Sequence, residues 1–367
     1  MRRAPVLALA AALLLLPGCA RSATDGPREP EETELLRTLG LDREGEGVRL
    51  TAAEGAPHTS ENGEGRAVRL FSREAPSMSA AALAVQTGGS AYLFFGHVGE
   101  LVLGEELCRA GIGEALGYVE RDIEMRLDTR VFAVRGASAQ ELLTGAAQGE
   151  SAPCDRLEAI AADAGLGTSP VMTTARDLIV SLGQNGAALV PAVVPSDDEG
   201  EDGIRCAGYA VFRGEALAGY LEGEAAAGAD LLLSAVEADV IGTCAGALRV
   251  VGVRTAVRPV FREDALSGFA VECRVEANLA ESDALREGEE KIGRACAEAA
   301  AAETGRITAA LTALQALDAD ALGLARRLAL AAPLRQGQIE SAWREGFPRL
   351  PFTVETRVTL RRGYHIK

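Results

Sequence analysis

The sequence has few of the side chains from which most catalytic and metal sites are built. It contains three histidines in 367 residues, and aromatic side chains account for only 4%. The two-histidine helical zinc motif, the Gly-x-Ser-x-Gly nucleophile motif and the phosphate-binding P-loop are all missing. Because a catalytic site needs several converging polar groups, the sequence predicts no catalytic residue, no metal ligand and no cofactor.

Basic charge is also scarce. Lysine and arginine total 37 against 53 aspartates and glutamates, so the formal net charge is −16. Loss of a leader that contains Arg2 and Arg3 would change this to −18. A phosphate-binding surface needs a basic stripe, so this balance argues against a nucleic-acid partner and against adsorption to anionic lipid. We therefore expect any membrane attachment to be covalent or mediated by another protein.

The sequence has no apolar run long enough to span a bilayer as a helix, but its N-terminus is typical of export. Two arginines precede an apolar run over Val6–Leu16, which is followed by Pro17, Gly18 and Cys19. This pattern predicts a signal peptide over 1–18 with a lipobox, so that acylated Cys19 becomes the first residue and anchors the chain in the lipid bilayer. Two acyl chains suffice for stable anchoring. The alternative is an ordinary secretory leader cleaved nearby.

The remaining cysteines give no sign of a zinc site or a dense disulfide framework. Their spacings are wide and no Cys-x-x-Cys motif occurs. We interpret them as small core residues because most have apolar neighbours in the sequence. The six are Cys108, Cys154, Cys206, Cys244, Cys273 and Cys296.

Hydrophobic periodicity predicts an α+β fold of two to three domains, with mostly antiparallel sheets packed by helices. The stretch 92–143 has the pattern strand, helix, helix, strand, helix, and Ser138 with Glu141 predicts a capping box for its last helix. The second half predicts a hairpin over 204–221, an antiparallel pair over 248–277 and a closing strand over 352–360. It also predicts a long helix over 284–317 whose inward stripe consists of Ile292, Cys296, Ile307, Leu311 and Leu314.

One break in composition divides the chain. The acidic segment 196–203 predicts a linker between an N-terminal domain over 33–195 and a C-terminal domain over 204–367. The alternative for the C-terminal domain is a further split near 237. Residues 19–32 are polar and contain two prolines, which is typical of a tether between a lipid and a fold.

Three features that could carry chemistry have simpler explanations. His97 lies in an apolar strand and is interpreted as a hydrogen-bonded, partly buried structural histidine rather than a ligand. The glycines of 111–117 resemble a dinucleotide fingerprint but do not link a strand to a helix. The acidic run 197–202 lacks EF-hand spacing and is interpreted as a solvated linker. An exposed edge along 352–360, near Trp343, would instead be a docking site.

Residues 94–126, FFGHVGELVLGEELCRAGIGEALGYVERDIEMR, contain a Gly-His pair, an apolar strand, a Gly-Glu start and an Ala-Gly stop, in that order. In the order of these parts the sequence resembles the Ger(x)C family of spore germination lipoproteins. The segment GYAVFRGEALAGYL at 208–221 is similar to the short hairpin of the family. Residues 320–367 resemble its C-terminal helix, tryptophan and strand.

The resemblance implies a non-enzymatic, lipid-anchored C subunit of a spore germinant receptor. Such a subunit would sit on the outer face of the spore inner membrane and assemble with membrane-embedded A and B subunits for nutrient-triggered germination. Two alternatives remain open at this point. A solute-binding lipoprotein of a transport or sensing system would have two similar lobes around a cleft. An anchored hydrolase would need a nucleophile, a base and an orienting group brought together by the fold.

Overall fold

The chain is described by a computed structural model that covers residues 33–55, 68–88, 92–149, 151–167, 169–198, 200–281 and 289–361. Helices and mixed sheets pack together, and a long helix lies in the C-terminal half. The predicted α+β class is therefore confirmed. The predicted signal peptide, the tether and Cys19 lie outside the described residues.

A large mixed sheet forms the first half of the structure. Its strands are β1 Thr33–Glu44, β2 Gly47–Glu54, β3 Leu70–Ala75, β4 Tyr92–Phe94, β5 Glu100–Leu103, β6 Arg130–Val134, β7 Ala187–Pro195, β8 Ile204–Arg213 and β9 Ala216–Leu221. They lie in the order β3-β2-β1-β5-β6-β7-β8-β9, with β4 beside β1. The central strands β1, β5, β6 and β7 run parallel to one another, and the outer strands pair antiparallel.

Helices cover both faces of this sheet because its central strands are apolar on both sides. They are α1 Met78–Thr87, α2 Glu105–Ala110, α3 Gly113–Arg121, α4 Ala139–Ala146, α5 Pro153–Ala162 and α6 Ala175–Asn185. On β5, Leu101 and Leu103 enter the core shared with α1, α2, α3 and α6, whereas Val102 enters the core shared with α4 and α5. All three are fully buried. Each such side chain contributes roughly 2 kcal/mol of transfer free energy.

A smaller four-stranded sheet and four helices form the second half. The elements are α7 Gly223–Leu233, β10 Asp239–Thr243, β11 Gly246–Arg262, β12 Ala265–Glu281, α8 Glu289–Ala316, α9 Leu324–Ala331, α10 Gln336–Gly346 and β13 Phe352–Leu360. The strands lie in the order β10-β11-β12-β13, and β13 is parallel to β12. The inward residues of the sheet pack with all four helices in one core. The outward residues of β11 and β13 are mostly exposed.

The long helix α8 faces this core through a narrower stripe than the sequence predicts. Ile307 and Leu311 are buried as expected, together with Leu314. In the N-terminal half of the helix the buried positions are the small residues Ala295 and Ala299, while the predicted Ile292 and Cys296 are only half-buried.

The predicted boundary at 196–203 does not coincide with the division between the two sheets. The acidic segment connects β7 to β8, which pair antiparallel from Ala187 with Arg213 to Pro195 with Ile204. The predicted hairpin β8–β9 therefore extends the large sheet, and the division between the sheets falls after Leu221.

Candidate functional site: the crevice at the carboxyl ends of the parallel strands

A crevice lies where the parallel strands β1, β5 and β6 end. It has a volume of about 510 Å³ and is lined by charged side chains from the strand ends and from the helices that follow them. In open sheets of this kind, ligands bind outside the carboxyl ends of the strands because helix N-termini point there. The principal lining residues are Asp42, Arg49, Glu105, Arg109, Ser138 and Glu141.

Asp42 at the end of β1 connects the sheet to the start of α4. Its carboxylate accepts hydrogen bonds from the backbone N–H groups of Ala139 at 2.7 Å and Gln140 at 2.9 Å. Burial raises the pKa of Asp42, and the two N–H groups oppose that rise. A Cβ on the neighbouring Gly104 would lie 1.9 Å from Oδ1 of Asp42, so only glycine fits beside this carboxylate.

The same helix start carries the predicted capping box. The hydroxyl of Ser138 accepts from the N–H of Glu141 at 3.0 Å, and the carboxylate of Glu141 accepts from the N–H of Ser138 at 2.8 Å. The prediction from the sequence is confirmed. The N–H groups at the start of α4 that could bind an anion are therefore already paired with the carboxylates of Asp42 and Glu141 and with the hydroxyl of Ser138.

Glu105 at the start of α2 connects that helix to the residues after β6, as Asp42 connects β1 to α4. It accepts from the N–H of Gly136 after β6 and pairs with Arg109 one turn along its own helix. Burial alone would raise the pKa of Glu105, but these two partners bring it below its ordinary value. The crevice thus works as a junction in which carboxylates tie the strand ends to the helix starts, and its polar groups satisfy one another.

Among the described residues, four other carboxyl groups are buried: Glu100 on β5, Asp230 on α7, Glu303 on α8 and Asp320 before α9. Burial raises the pKa of Glu100, Asp230 and Glu303 to about 7 in each case. Glu100 accepts from Arg130 at 3.1 Å, Glu303 accepts from Arg306 at 3.0 Å, and Asp230 accepts from the hydroxyl of Tyr209. One such group has a signal in the sequence, because Glu100 interrupts an apolar run.

Arg306 joins three elements of the second half. Its guanidinium donates to Asp239 at 2.8 Å, to Glu224 at 3.1 Å and to Glu303. These acceptors belong to β10, α7 and α8 respectively. The cluster balances one buried cation against three carboxyl groups, which is the arrangement of a structural ion network.

The histidine and aromatic predictions have different outcomes. His97 is exposed in a single 3-10 turn, Phe95–His97, and its ring meets that of Phe94 edge-on at 5.5 Å. The interpretation of His97 as partly buried in a strand is therefore wrong, because the turn rotates its side chain outward. Trp343 is buried as expected, and its ring stacks on that of Phe347 at 4.8 Å.

The cysteine prediction holds for most of its members. Cys108, Cys154 and Cys273 are buried, and burial raises the pKa of the Cys108 thiol. Cys206 and Cys296 are half-buried, whereas Cys244 is exposed and is not a core residue. Across the described ranges, no group of three or more His, Cys, Asp or Glu side chains is arranged to hold a metal ion.

Among the helices within the described parts of the chain, none is long and apolar enough to cross a membrane.

Two family models match the chain in succession. The model described as "Spore germination protein N-terminal domain" matches residues 26–195, and the model "Spore germination B3/ GerAC like, C-terminal" matches residues 207–364. Among solved structures, the crystal structure of the GerBC protein is similar with a TM-score of 0.59 and 15% identity, covering 88% of this chain and 97% of that one. No curated protein matches the sequence.

Proposed function

The chain belongs to the GerAC-like family of spore germination proteins, and from that premise we propose that it is the lipid-anchored C subunit of a spore germinant receptor. It would act without an enzymatic activity of its own. The observation that carries the proposal is the succession of the two family models, which together reach from residue 26 to residue 364. The described fold supports it, since GerBC shares that fold across most of both chains.

The proposed anchor is Cys19. The Arg-Arg start, the apolar run over Val6–Leu16 and the Gly18-Cys19 pair support acylation of this thiol after removal of residues 1–18. Anchored in this way, the protein would sit on the outer face of the spore inner membrane. Its proposed partners are the membrane-embedded A and B subunits of the receptor, with which it would be needed for nutrient-triggered germination.

The geometry of the crevice supports a structural rather than a catalytic role. The carboxylates of Asp42, Glu105 and Glu141 are already bonded to helix-start N–H groups or to Arg109, and so these three are not free to act on a substrate. Glu100, Asp230 and Glu303, whose pKa values burial raises to about 7, belong to different elements and have different hydrogen-bond partners. Acid–base catalysis would need two such groups aimed at one substrate position.

The alternative of a solute-binding lipoprotein finds no specific support in this crevice. Binding sites for small solutes are usually apolar clefts with a few unpaired polar groups that select the ligand. Here the walls are charged, and the main carboxylates of the site are already bonded within the chain. Recovery of the protein alone with a bound small molecule would favour this alternative.

The test is extraction of native membranes with detergent, followed by affinity purification of the full chain and identification of what accompanies it. The wild type is compared with Cys19→Ala, which removes the acylated thiol, and with Cys244→Ala, which removes an exposed cysteine elsewhere. We expect the wild type and Cys244→Ala to partition with membranes and to bring two membrane subunits. We expect Cys19→Ala to leave the membrane fraction and to recover less of both subunits.

Two results would contradict this proposal. Recovery of the wild type alone with a bound small molecule would favour the solute-binding alternative. Equal membrane partitioning of Cys19→Ala and wild type would remove Cys19 as the anchor, which mass spectrometry of the N-terminal peptide would check independently.

A further inference from the structure

One face of the small sheet concentrates positive charge in an otherwise acidic chain. We call it the arginine face, and it consists of the outward side chains of β11, β12 and β13 together with Arg361. Its basic members are Arg249, Arg254, Arg258, Arg262, Arg274, Arg357 and Arg361, all exposed. Three glutamates share the face, so it carries +4, and the rest of the chain, at −16 overall, carries −20.

Strand register aligns three of these arginines in one row. Arg254 lies opposite Arg274 in the antiparallel pair β11–β12, and Arg274 lies opposite Arg357 in the parallel pair β12–β13. Neighbouring strands are about 4.8 Å apart, so three like charges stand side by side. Such a row destabilises a sheet, because like charges directly opposite each other repel.

The glutamates of the face pair with three of its arginines, and only one of these, Arg357, belongs to the row. Glu272 pairs with Arg258 at 3.4 Å, Glu355 with Arg357 at 2.9 Å, and Glu276 with Arg361 at 2.5 Å. Among the residues that the structure describes, no carboxylate forms an ion pair with Arg254 or Arg274. The centre of the face therefore keeps its positive charge exposed to solvent.

The shape of the face suits a plane rather than a pocket. From Arg249 to Arg262 the strand β11 extends about 40 Å, and the arginines are spread along it instead of converging. Between them lie small outward residues, Gly252 opposite Glu276 and Ala270 opposite Arg258. Val240 and Val260 are 59% and 45% exposed near opposite ends of the sheet, which adds apolar contacts.

We propose that the arginine face docks on the anionic lipid headgroups of the membrane to which the chain is anchored. This inference rests on the proposed function for the presence of a membrane, but its chemistry comes from the face alone. Spread guanidinium groups bind phosphate oxygens across a negative surface, and exposed valines fit the interfacial region. The net charge of the whole chain gives no sign of this face, because the acidic residues elsewhere outnumber its arginines.

The test measures binding of the full chain without acylation, carrying Cys19→Ala, to vesicles of phosphatidylcholine alone and of phosphatidylcholine mixed with phosphatidylglycerol. We expect cosedimentation with the anionic vesicles only, and its loss at high salt. Arg274→Glu should weaken this binding by about tenfold, since it removes one positive charge and adds a negative one at the centre of the row. The matched control is Arg344→Glu, an exposed arginine on α10 with the same change in net charge.

A stability measurement separates loss of binding from loss of fold. Arg274→Glu places a carboxylate between Arg254 and Arg357, so its thermal midpoint should equal or exceed that of the parent. Equal binding of both vesicle types, or equal weakening by Arg274→Glu and Arg344→Glu, would overturn the proposal. So would Arg274→Glu reducing recovery of the membrane subunits without changing vesicle binding, which would assign the face to an acidic protein surface.

This result is independent of the receptor proposal. If the unacylated chain fails to bind anionic vesicles but the acylated chain still recovers both membrane subunits, the arginine face is wrong and the proposed function stands. If the unacylated chain binds anionic vesicles but the acylated chain recovers neither membrane subunit, the arginine face stands and the proposed function is wrong.

Discussion

Asp230 on α7 is a buried carboxyl group whose partner is a phenol rather than a cation. It accepts a hydrogen bond from Tyr209 on β8, and that hydroxyl in turn accepts from the N–H of Val171. Burial raises the pKa of Asp230 from its ordinary 3.8 to about 7. The protonated form is therefore favoured in the folded state, and the stabilisation it provides is complete below the ordinary pKa and is lost as the pH rises through about 7.

We predict that Asp230→Asn flattens the dependence of stability on pH. Asparagine keeps the shape and an acceptor for Tyr209 but cannot ionise. From about pH 5 to about pH 8 the wild type should lose roughly 2 kcal/mol of unfolding free energy through Asp230, and the variant should not. The difference in unfolding free energy, variant minus wild type, should therefore rise by that amount over this range. Urea unfolding at several pH values measures this difference.

Asp197→Asn is the matched control for this measurement, since it makes the same chemical change at an exposed position. Its curve should run parallel to that of wild type. Glu100 and Glu303 have raised pKa values as well, so some decline with pH should remain in every variant. Parallel curves for Asp230→Asn and wild type would contradict the assignment of a protonated Asp230.

At the scale of elements, the contact between α7 and α8 depends on one glycine. A Cβ at Gly228 would lie 2.0 Å from the carbonyl oxygen of Arg306 and 2.9 Å from Cβ of Ala310. A backbone oxygen cannot move without moving its helix. The two helices therefore lie too close to admit a methyl group, and the same approach brings Glu224 of α7 to the guanidinium of Arg306 on α8.

We predict that Gly228→Ala lowers the free energy of unfolding by about 1–3 kcal/mol, because the added methyl group forces the helices apart. The control is Gly305→Ala on α8, where nothing lies within 4 Å of the new Cβ. There alanine should raise stability by about 0.5–1 kcal/mol through its better helix propensity. Opposite signs in denaturant unfolding are expected, and a stabilised Gly228→Ala would mean that α7 and α8 do not touch at this point.

The elements that sequence predicts best are those whose signals are local. The strand Phe352–Leu360 has the predicted limits, and the capping box of Ser138 and Glu141 forms as expected. The prediction of a partly buried His97 was wrong because a single 3-10 turn lies between two short strands. The turn changes the direction of the side chain without changing the apolar pattern of the sequence. The crevice was missed because Asp42 meets the start of α4 across nearly a hundred residues of sequence.

At the scale of the whole molecule, strand register cannot be predicted from the sequence alone. The arginine row needs Arg254, Arg274 and Arg357 to be aligned, and no local pattern relates β13 to β12. The pairing of β7 with β8 could not be predicted for a different reason. The acidic segment between these strands is typical of a domain linker, yet it closes on itself through a hydrogen bond from the N–H of Ser196 to the carbonyl of Gly203 at 3.1 Å.

The continuity of the large sheet predicts that a cut in this acidic segment will not separate the chain into two domains. A specific protease site inserted after the exposed Asp198 would divide the chain between β7 and β8. The two strands would stay joined by their backbone ladder and by apolar residues such as Val190 and Phe212, which share one buried core. Exposed loops accept such insertions with little loss of stability.

We expect the cut chain to elute as a single species in gel filtration, to unfold in one transition, and to separate into fragments only in denaturant. The uncut protein with the same insertion is the control for the insertion itself, and separation in denaturant shows that cleavage is complete. Fragments that separate without denaturant would mean that residues 196–203 link two independent domains, as composition alone predicts. A single cooperative transition would instead mean that β8 and β9, although they follow the acidic segment, fold as part of the first sheet.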